Sequence, residues 1–278
     1  MTSSCARASS FLLLALFGCG GDDEGNGEAS ACGLEEILEG TEFEDVGKLA
    51  SISVHEDADA CGGNDRCATG KFIDFTDFDG ADPPALVWDG VCAGVNGLPV
   101  EGENDPVPLD TPEVDLVIDG EIVPVPQAGQ GKVIAPTLEP FVDGGDMSLE
   151  VRGGDGEADF PSFTAELSVP RAPAVTGLAM SGGAFVVRWE PASADAVMIE
   201  VNIVEAPDGY QPVRCVVKDD GCLTVPSGAI LWVTQSTNAL PLDVEVTTQV
   251  WAEWLGTADT PEIGFFEVKR TTTERFEP

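Results

Sequence analysis

One histidine, eight cysteines and fifty carboxylates are the side chains through which this chain would do covalent, redox or ionic chemistry. His55 stands in Ser-Val-His-Glu-Asp, so a single Ser-His-acid triad is the most the sequence allows. No Gly-x-Ser-x-Gly elbow exists to present its nucleophile. His-Glu-x-x-His, a phosphate loop and a Gly-x-Gly-x-x-Gly turn are also missing. At a strand end beside acids, His55 reads as a surface residue rather than a general base. Carboxylate pairs of the glycosidase kind do not stand out among fifty acids. The chain is therefore not expected to be an enzyme.

Metal chemistry has one tangible place. Asp74, Asp77, Asp79 and Asp82 lie in Asp-Phe-Thr-Asp-Phe-Asp-Gly-Ala-Asp, and clustered oxygens on a turn suit a hard cation such as calcium. Aligned on Gly80, however, an EF-hand loop would need an acid at Phe75 and a bidentate Glu at Leu86. Both fail. Gly153–Asp159 is similar to one calcium-binding nonapeptide, but its Asp comes one place late and the unit does not repeat. Asp-Gly turns also serve acidic β proteins for conformational reasons alone. Asp74, Asp77, Asp79 and Asp82 are thus weak calcium candidates, and no other cofactor is expected.

The N-terminus carries a different chemistry. Arg7 is the one charge before Phe11–Phe17, a continuous apolar run followed by Gly18-Cys19-Gly20-Gly21. A basic start, a short apolar stretch and a small residue at the cut mark a secretory signal. About 20 apolar residues would be needed to span a membrane. Leu16-Phe17-Gly18-Cys19 resembles the bacterial lipobox, with Phe17 departing from the usual Ala or Ser. That resemblance implies removal of residues 1–18 and lipidation of Cys19. Residues 20–31 are rich in Gly and acid, cannot bury enough surface to fold, and read as a flexible tether. Two or three acyl chains, as the lipoprotein pathway supplies, give permanent membrane attachment. Gly20, rather than Asp, follows the lipid cysteine and points to the outer membrane of a Gram-negative cell envelope.

Charge sets the partners. The formal net charge is −37, and residues 20–47 hold ten carboxylates with no Lys or Arg before Lys48. Such a surface repels nucleic acid and anionic headgroups, which need basic footprints. No nucleic acid partner is expected; an envelope protein or a polysaccharide remains.

Six cysteines are left after Cys5 in the signal and Cys19 on the lipid, an even number suited to disulfides in an exported protein. Cys215 and Cys222 flank a strand and turn far from the others and are expected to bridge as a hairpin pair. Cys61 and Cys67 bracket a Gly-Gly-Asn-Asp-Arg loop, which leaves Cys32 with Cys92. The spacing is too open for zinc.

The elements that would carry these residues are mostly strands. One helix is predicted, at Leu34–Leu38. Leu49–His55 alternates apolar and polar residues as a half-buried strand does, and Phe72–Phe78 and Ala85–Trp88 are further strand candidates. Val114–Ile118 and Glu121–Val125 flank Asp119-Gly120, a strong hairpin signal. Lys132–Ala135, Met147–Arg152 and Phe163–Val169 follow. Prolines at 170 and 173 then break the pattern, dividing a disulfide-containing β domain at 32–170 from a second domain at 171–278. The second domain shows Ala184–Trp189, Val197–Val204, Val213–Val217, Ala229–Val233, Val244–Trp254 and Phe265–Val268 as strands. Phe185, Val187 and Trp189 share one face, as do Val197, Ile199, Val201 and Ile203. About seven strands in about 100 residues is the size of an immunoglobulin-like sandwich. The fold class read here is all-β, with two tandem immunoglobulin or fibronectin type III-like sandwiches after a signal peptide and tether.

Trp189-Glu190-Pro191 resembles the Trp-x-Pro of fibronectin type III modules, in which the Trp packs in the core. No tyrosine corner is evident, since Tyr210, the sole tyrosine, sits in a turn. The whole chain is also similar to a broad group of uncharacterised myxobacterial-type outer-membrane lipoproteins. The matching elements are the lipobox with its acidic tether, Gly144-Gly145-Asp146, Arg152-Gly153-Gly154, Phe160-Pro161-Ser162-Phe163, and Cys215 with Asp219-Asp220-Gly221-Cys222. This resemblance implies a lipidated ectodomain without chemistry. The function expected is a cell-envelope structural or protein-interaction module. The alternative is a carbohydrate-binding lipoprotein, which would need two exposed, coplanar tryptophans among Trp88, Trp232, Trp251 and Trp254. Trp251 and Trp254 cannot share a face of a regular strand.

Overall fold

A computed structural model describes residues 47–58, 60–74, 85–88, 92–95, 107–154, 156, 159–204, 212–234, 241–256 and 262–277. The signal, the tether, the helix at Leu34–Leu38, Cys19, Cys32, Asp77, Asp79, Asp82 and Tyr210 lie outside them.

Along the first half run β1 (Lys48–Glu56), β2 (Arg66–Asp74), β3 (Ala85–Trp88), β4 (Cys92–Val95), β5 (Val107–Pro108), β6 (Glu113–Ile118), β7 (Glu121–Val125), β8 (Gln127–Gly129), β9 (Lys132–Ala135), β10 (Asp146–Arg152) and β11 (Phe163–Ser168). The second half adds β12 (Ala174–Ser181), β13 (Ala184–Glu190), β14 (Ala196–Ile203), β15 (Val213–Val217), β16 (Cys222–Val225), one helix α1 (Ser227–Val233), β17 (Leu242–Leu255) and β18 (Glu262–Phe276). The fold is all-β, as the periodicity requires.

Local chemistry sets many of these elements. Asp119 and Gly120 both adopt positive φ, 50° and 84°, the geometry a two-residue turn needs to follow strand twist, and β6 and β7 pair across it. In β13, Phe185, Val187 and Trp189 are buried while Arg188 is exposed, which is the predicted register. One expected strand is a helix, the strand expected from Phe72 begins earlier, at Arg66 in β2, and β12 is an additional strand. Ala229–Val233 is helical, because a turn of helix brings Ala229, Ile230 and Val233 onto the core together while Leu231 stays exposed. β12 went unpredicted because Ala174–Ser181 lacks apolar alternation, its pairing with β13 being interrupted by a bulge at Val175/Gly177.

The sheets do not divide as the chain order suggests. Eleven strands form one sheet with the order β3-β4-β15-β14-β17-β18-β1-β2-β9-β8, β5 pairing off it with β2. A four-stranded sheet, β11-β10-β6-β7, and a three-stranded sheet, β12-β13-β16, pack against it. The first core joins Leu116, Met147, Leu149 and Phe160 to Ile52 and Phe72. The second joins Phe185, Val187 and Leu223 to Val197, Ile199 and Val213.

β17 serves both cores from one face. Leu242, Val244 and Val246 lie in the second core, and Val250 lies in the first with Ala252 and Trp254 packed on it. These residues share parity, so a single strand face runs under both sandwiches. Phe266 and Val268 of β18 also belong to the first core, and β1 lies parallel to β18 from Lys48↔Glu262 to Glu56↔Arg270. The expected boundary at 170/171 is therefore not a boundary of packing: 171–278 supplies part of the first core, and β3 and β4 join the sheet of the second. Chain-order reading failed here because period-2 patterning specifies a buried face without specifying its neighbour.

The Pro170–Pro173 crossing is fastened across this shared sheet. Arg270 Nη1 donates to the Pro170 carbonyl at 3.0 Å, Thr248 Oγ1 to Arg171 O at 2.9 Å, and Thr272 Oγ1 to Pro173 O at 2.9 Å. The buried Arg270 guanidinium also pairs with Glu56 and Asp143. The guanidinium itself is buried, so leaving it without its partly buried partner Glu56 would be costly, and this cluster favours one placement of the two sandwiches.

Candidate functional site

The disulfides correct the sequence expectation. Cys61 is bonded to Cys67, as predicted. Cys92 is bonded to Cys215, with Cα atoms 4.0 Å apart, so neither Cys215–Cys222 nor Cys32–Cys92 forms. The reason is topological. β15 and β16 are not a hairpin: β15 pairs with β14 and β4, whereas β16 pairs with β13 in the other sheet. The turn at 218–221 carries the chain between sheets, and Cys215 comes to lie opposite Cys92 in the β4–β15 register.

Asp219 organises that crossing. Its Oδ1 accepts from Trp189 Nε1 at 2.8 Å, and its Oδ2 accepts from the backbone N–H groups of Ala192 and Ala194 at 2.6 and 3.0 Å. Trp189 is buried in the second core, so the Trp-Glu-Pro corner is pinned by a carboxylate. Trp189 and Asp219 both stand out in the sequence, but their pairing does not; Pro191 and Gly221, which pack together at this corner, are the local sign of it.

The predicted candidates for chemistry fall in separate places. His55, next to last in β1, lies between Lys269 and Cys67 and is half-buried rather than on the surface. Burial, then the Lys269 ammonium, hold its imidazole below the ordinary 6.5, against smaller opposing effects of Glu267 and Asp57. The Ser53 hydroxyl on the same strand donates to Glu267, which also accepts from Lys269 at 2.7 Å. Ser53 is thus committed to a carboxylate and not to the imidazole, the reverse of a nucleophile–base pair. Asp74 ends β2 opposite Lys48. In the glycine loop, Asp159 Oδ2 accepts from Gly156 N–H at 2.9 Å, and a Cβ on Gly154 would stand 2.2 Å from that oxygen. The Asp159 carboxylate closes its own loop. Among the described residues, no three of His, Cys, Asp and Glu converge as metal ligands.

Trp189, Trp232 and Trp254 pack on the cores. Trp254 stacks on Phe163 with centroids 5.2 Å apart and packs on the first core. Trp232 covers Gly94, where a Cβ would lie 2.8 Å from the indole. Trp251 is half-buried, its backbone N–H donating to Asp195 Oδ2 at 3.0 Å.

What the fold presents outward is charge. Alternation in the four-stranded sheet sends Met147, Leu149 and Val151 inward and leaves Ser148, Glu150 and Arg152 on the other face. Glu150 lies directly opposite Asp115, Arg152 opposite Glu113, and Ser148 opposite Glu166. Like charges placed so are destabilising. Arg152 offsets them, reaching Asp115 at 2.7 Å, Glu150 at 3.2 Å and Glu113 at 3.5 Å. The Glu150 hydrogen bond and the charges of Glu150 and Asp115 raise the guanidinium above its ordinary value. One cation among Glu113, Asp115, Glu150 and Glu166 leaves this face acidic, and it would attract cationic surfaces.

No known protein family and no curated protein matches the chain. Solved structures with weak likeness include a two-domain fibronectin type III segment of chicken tenascin: 10% identity, TM-score 0.26, covering 72% of this chain and 97% of that one. Another comprises the FN1–FN3 domains of chicken CNTN1, with 12% identity, TM-score 0.24 and coverage of 77% and 76%. A bacterial ice-binding adhesin shows 16% identity and TM-score 0.19 over 83% of this chain and 64% of that one.

Proposed function

We propose that the protein is a lipid-anchored cell-envelope module that holds an acidic β surface rigidly for a protein partner. The observation that carries this reading is the sharing of β17 and β18 by both sandwiches, since it couples the anchored chain to a stiff display rather than to a jointed string. The acidic outer face of the four-stranded sheet supports a cationic partner site. Leu16-Phe17-Gly18-Cys19 supports attachment through a lipid on Cys19 at the outer membrane. Of the tryptophans the carbohydrate alternative would use, Trp232 and Trp254 are packed on the cores and Trp251 is half-buried, which favours the protein-partner reading.

The test is site-specific photocrosslinking in native envelopes from Thr164, which is exposed on the acidic sheet. A partner adduct that weakens with salt and disappears in Glu150→Gln/Glu166→Gln is expected. Adducts insensitive to both would defeat the acidic-face reading. Detergent-phase partitioning that persists in Cys19→Ser would defeat the lipid anchor.

A further inference from the structure

β12 ends the three-stranded sheet, pairing with β13 on one side and with no other strand among the described residues. It is eight residues long, against six for β11, five for β7 and four or fewer for β3, β8 and β16, the other strands that end a sheet. Folded proteins blunt such edges with charge or proline, because free N–H and C=O groups template another strand. Glu121 and Pro124 do this in β7, and Glu166 does it in β11. β12 carries neither charge nor proline. Its bulge at Val175/Gly177 lies toward the end fastened through Pro173 and leaves Gly177–Ser181 in regular register. Residues 172–187 hold no charge, in a chain of net charge −37.

We propose that this edge takes β12 of a second copy of the chain, antiparallel and about a two-fold axis at Ala179. Centred there, Gly177 stands opposite Ser181 of the other copy, and Leu178 opposite Met180. Leu178 and Met180 lie across from the buried Val187 and Phe185, so both are on the core side of the sheet. Leu178 packs on the second core, whereas Met180 is 44% exposed. Self-pairing covers each Met180 with Leu178 of the other copy, and the symmetry makes that contact twice. Two such acidic chains repel over most of their surfaces, and least where both are uncharged. The neutral edge is complementary to itself, so a second copy fits it without any unlike partner.

The experiment uses the full mature chain with a photoreactive residue at Ser181, which is exposed and would face the space left by Gly177. A homodimer adduct mapping to residues 177–179 is expected, in detergent solution and in native envelopes. It should strengthen with salt, as repulsion between the two acidic chains is screened, the opposite of the adduct expected from Thr164. Met180→Lys would set an ammonium against Leu178 of the other copy and should abolish the adduct with an unchanged far-UV dichroism spectrum. Sedimentation equilibrium of the unlabelled protein in density-matched detergent should show a dimer that Met180→Lys converts to monomer. A wild-type monomer, or a dimer indifferent to Met180→Lys, would overturn the proposal. So would an adduct from Ser181 to a different envelope protein in place of the homodimer, which would give the edge to another chain.

Discussion

Trp189 and Asp219 lie thirty residues apart and meet through one hydrogen bond, from the indole Nε1 to Oδ1 at 2.8 Å. The indole is buried, and the same carboxylate closes the backbone of Ala192 and Ala194. This single side chain therefore fixes the corner at which the chain changes sheets.

Asp219→Ala leaves three donors without their acceptor and should cost about 2–4 kcal/mol, since bonds to charged groups contribute about 1.5–3 kcal/mol each and water replaces part of the loss. Asp219→Asn should cost less, because it retains one acceptor oxygen. Urea unfolding of the whole ectodomain measures both. Equal losses would show that the hydrogen-bond geometry is not what the carboxylate supplies.

The register of β13 predicts a contrast between adjacent residues. Trp189→Ala should cost about 3–5 kcal/mol as a large buried aromatic is deleted. Arg188→Ala should change stability by less than about 0.5 kcal/mol. An Arg188 substitution as costly as that of Trp189 would place the exposed face against another surface.

Cutting the chain at 170/171 should fail to release an independent domain. Val250, Phe266 and Val268 would lose the first core, and β18 would lose β1. Isolated 171–278 is expected to bind a hydrophobic dye and self-associate, whereas the ectodomain should unfold in one calorimetric transition. A monomeric fragment with a sharp transition of its own would refute the shared core.

His55 gives a defined pH response. Its folded pKa lies below the unfolded 6.5, so the unfolded chain binds more protons between the two values. Stability contributed by the neutral imidazole is present above 6.5 and is lost as pH falls through the folded value. Comparing urea midpoints at pH 7.5 and 5 for the wild type and His55→Gln isolates this residue from the carboxylates. The variant should lose less stability on acidification; parallel losses would exclude the effect.

Cys92→Ala/Cys215→Ala opens a loop with a sequence separation of 123. On the loop-entropy account this should cost about 4–5 kcal/mol, against about 2–3 kcal/mol for the short Cys215–Cys222 loop expected from spacing. Thermal unfolding of the double variant separates the two figures.

The sequence by itself determined which residues face inward and where the short turns fall. Phe185, Val187 and Trp189, and Val197, Ile199 and Val201, are buried as their alternation required, because a pleated strand sends every second side chain to one side. Asp119-Gly120 declared its hairpin for an equally local reason, the positive φ that its turn demands. Tertiary structure alone decided the neighbours. Nothing in Leu49–His55 says that it will lie parallel to β18, or that Ser51 and Ser53 on its polar face will also be buried. Nothing in the spacing of Cys215 says that Cys92 will stand opposite it. Backbone hydrogen bonding accepts any strand of matching pleat, so the choice among partners is made only when both cores close on β17 and β18.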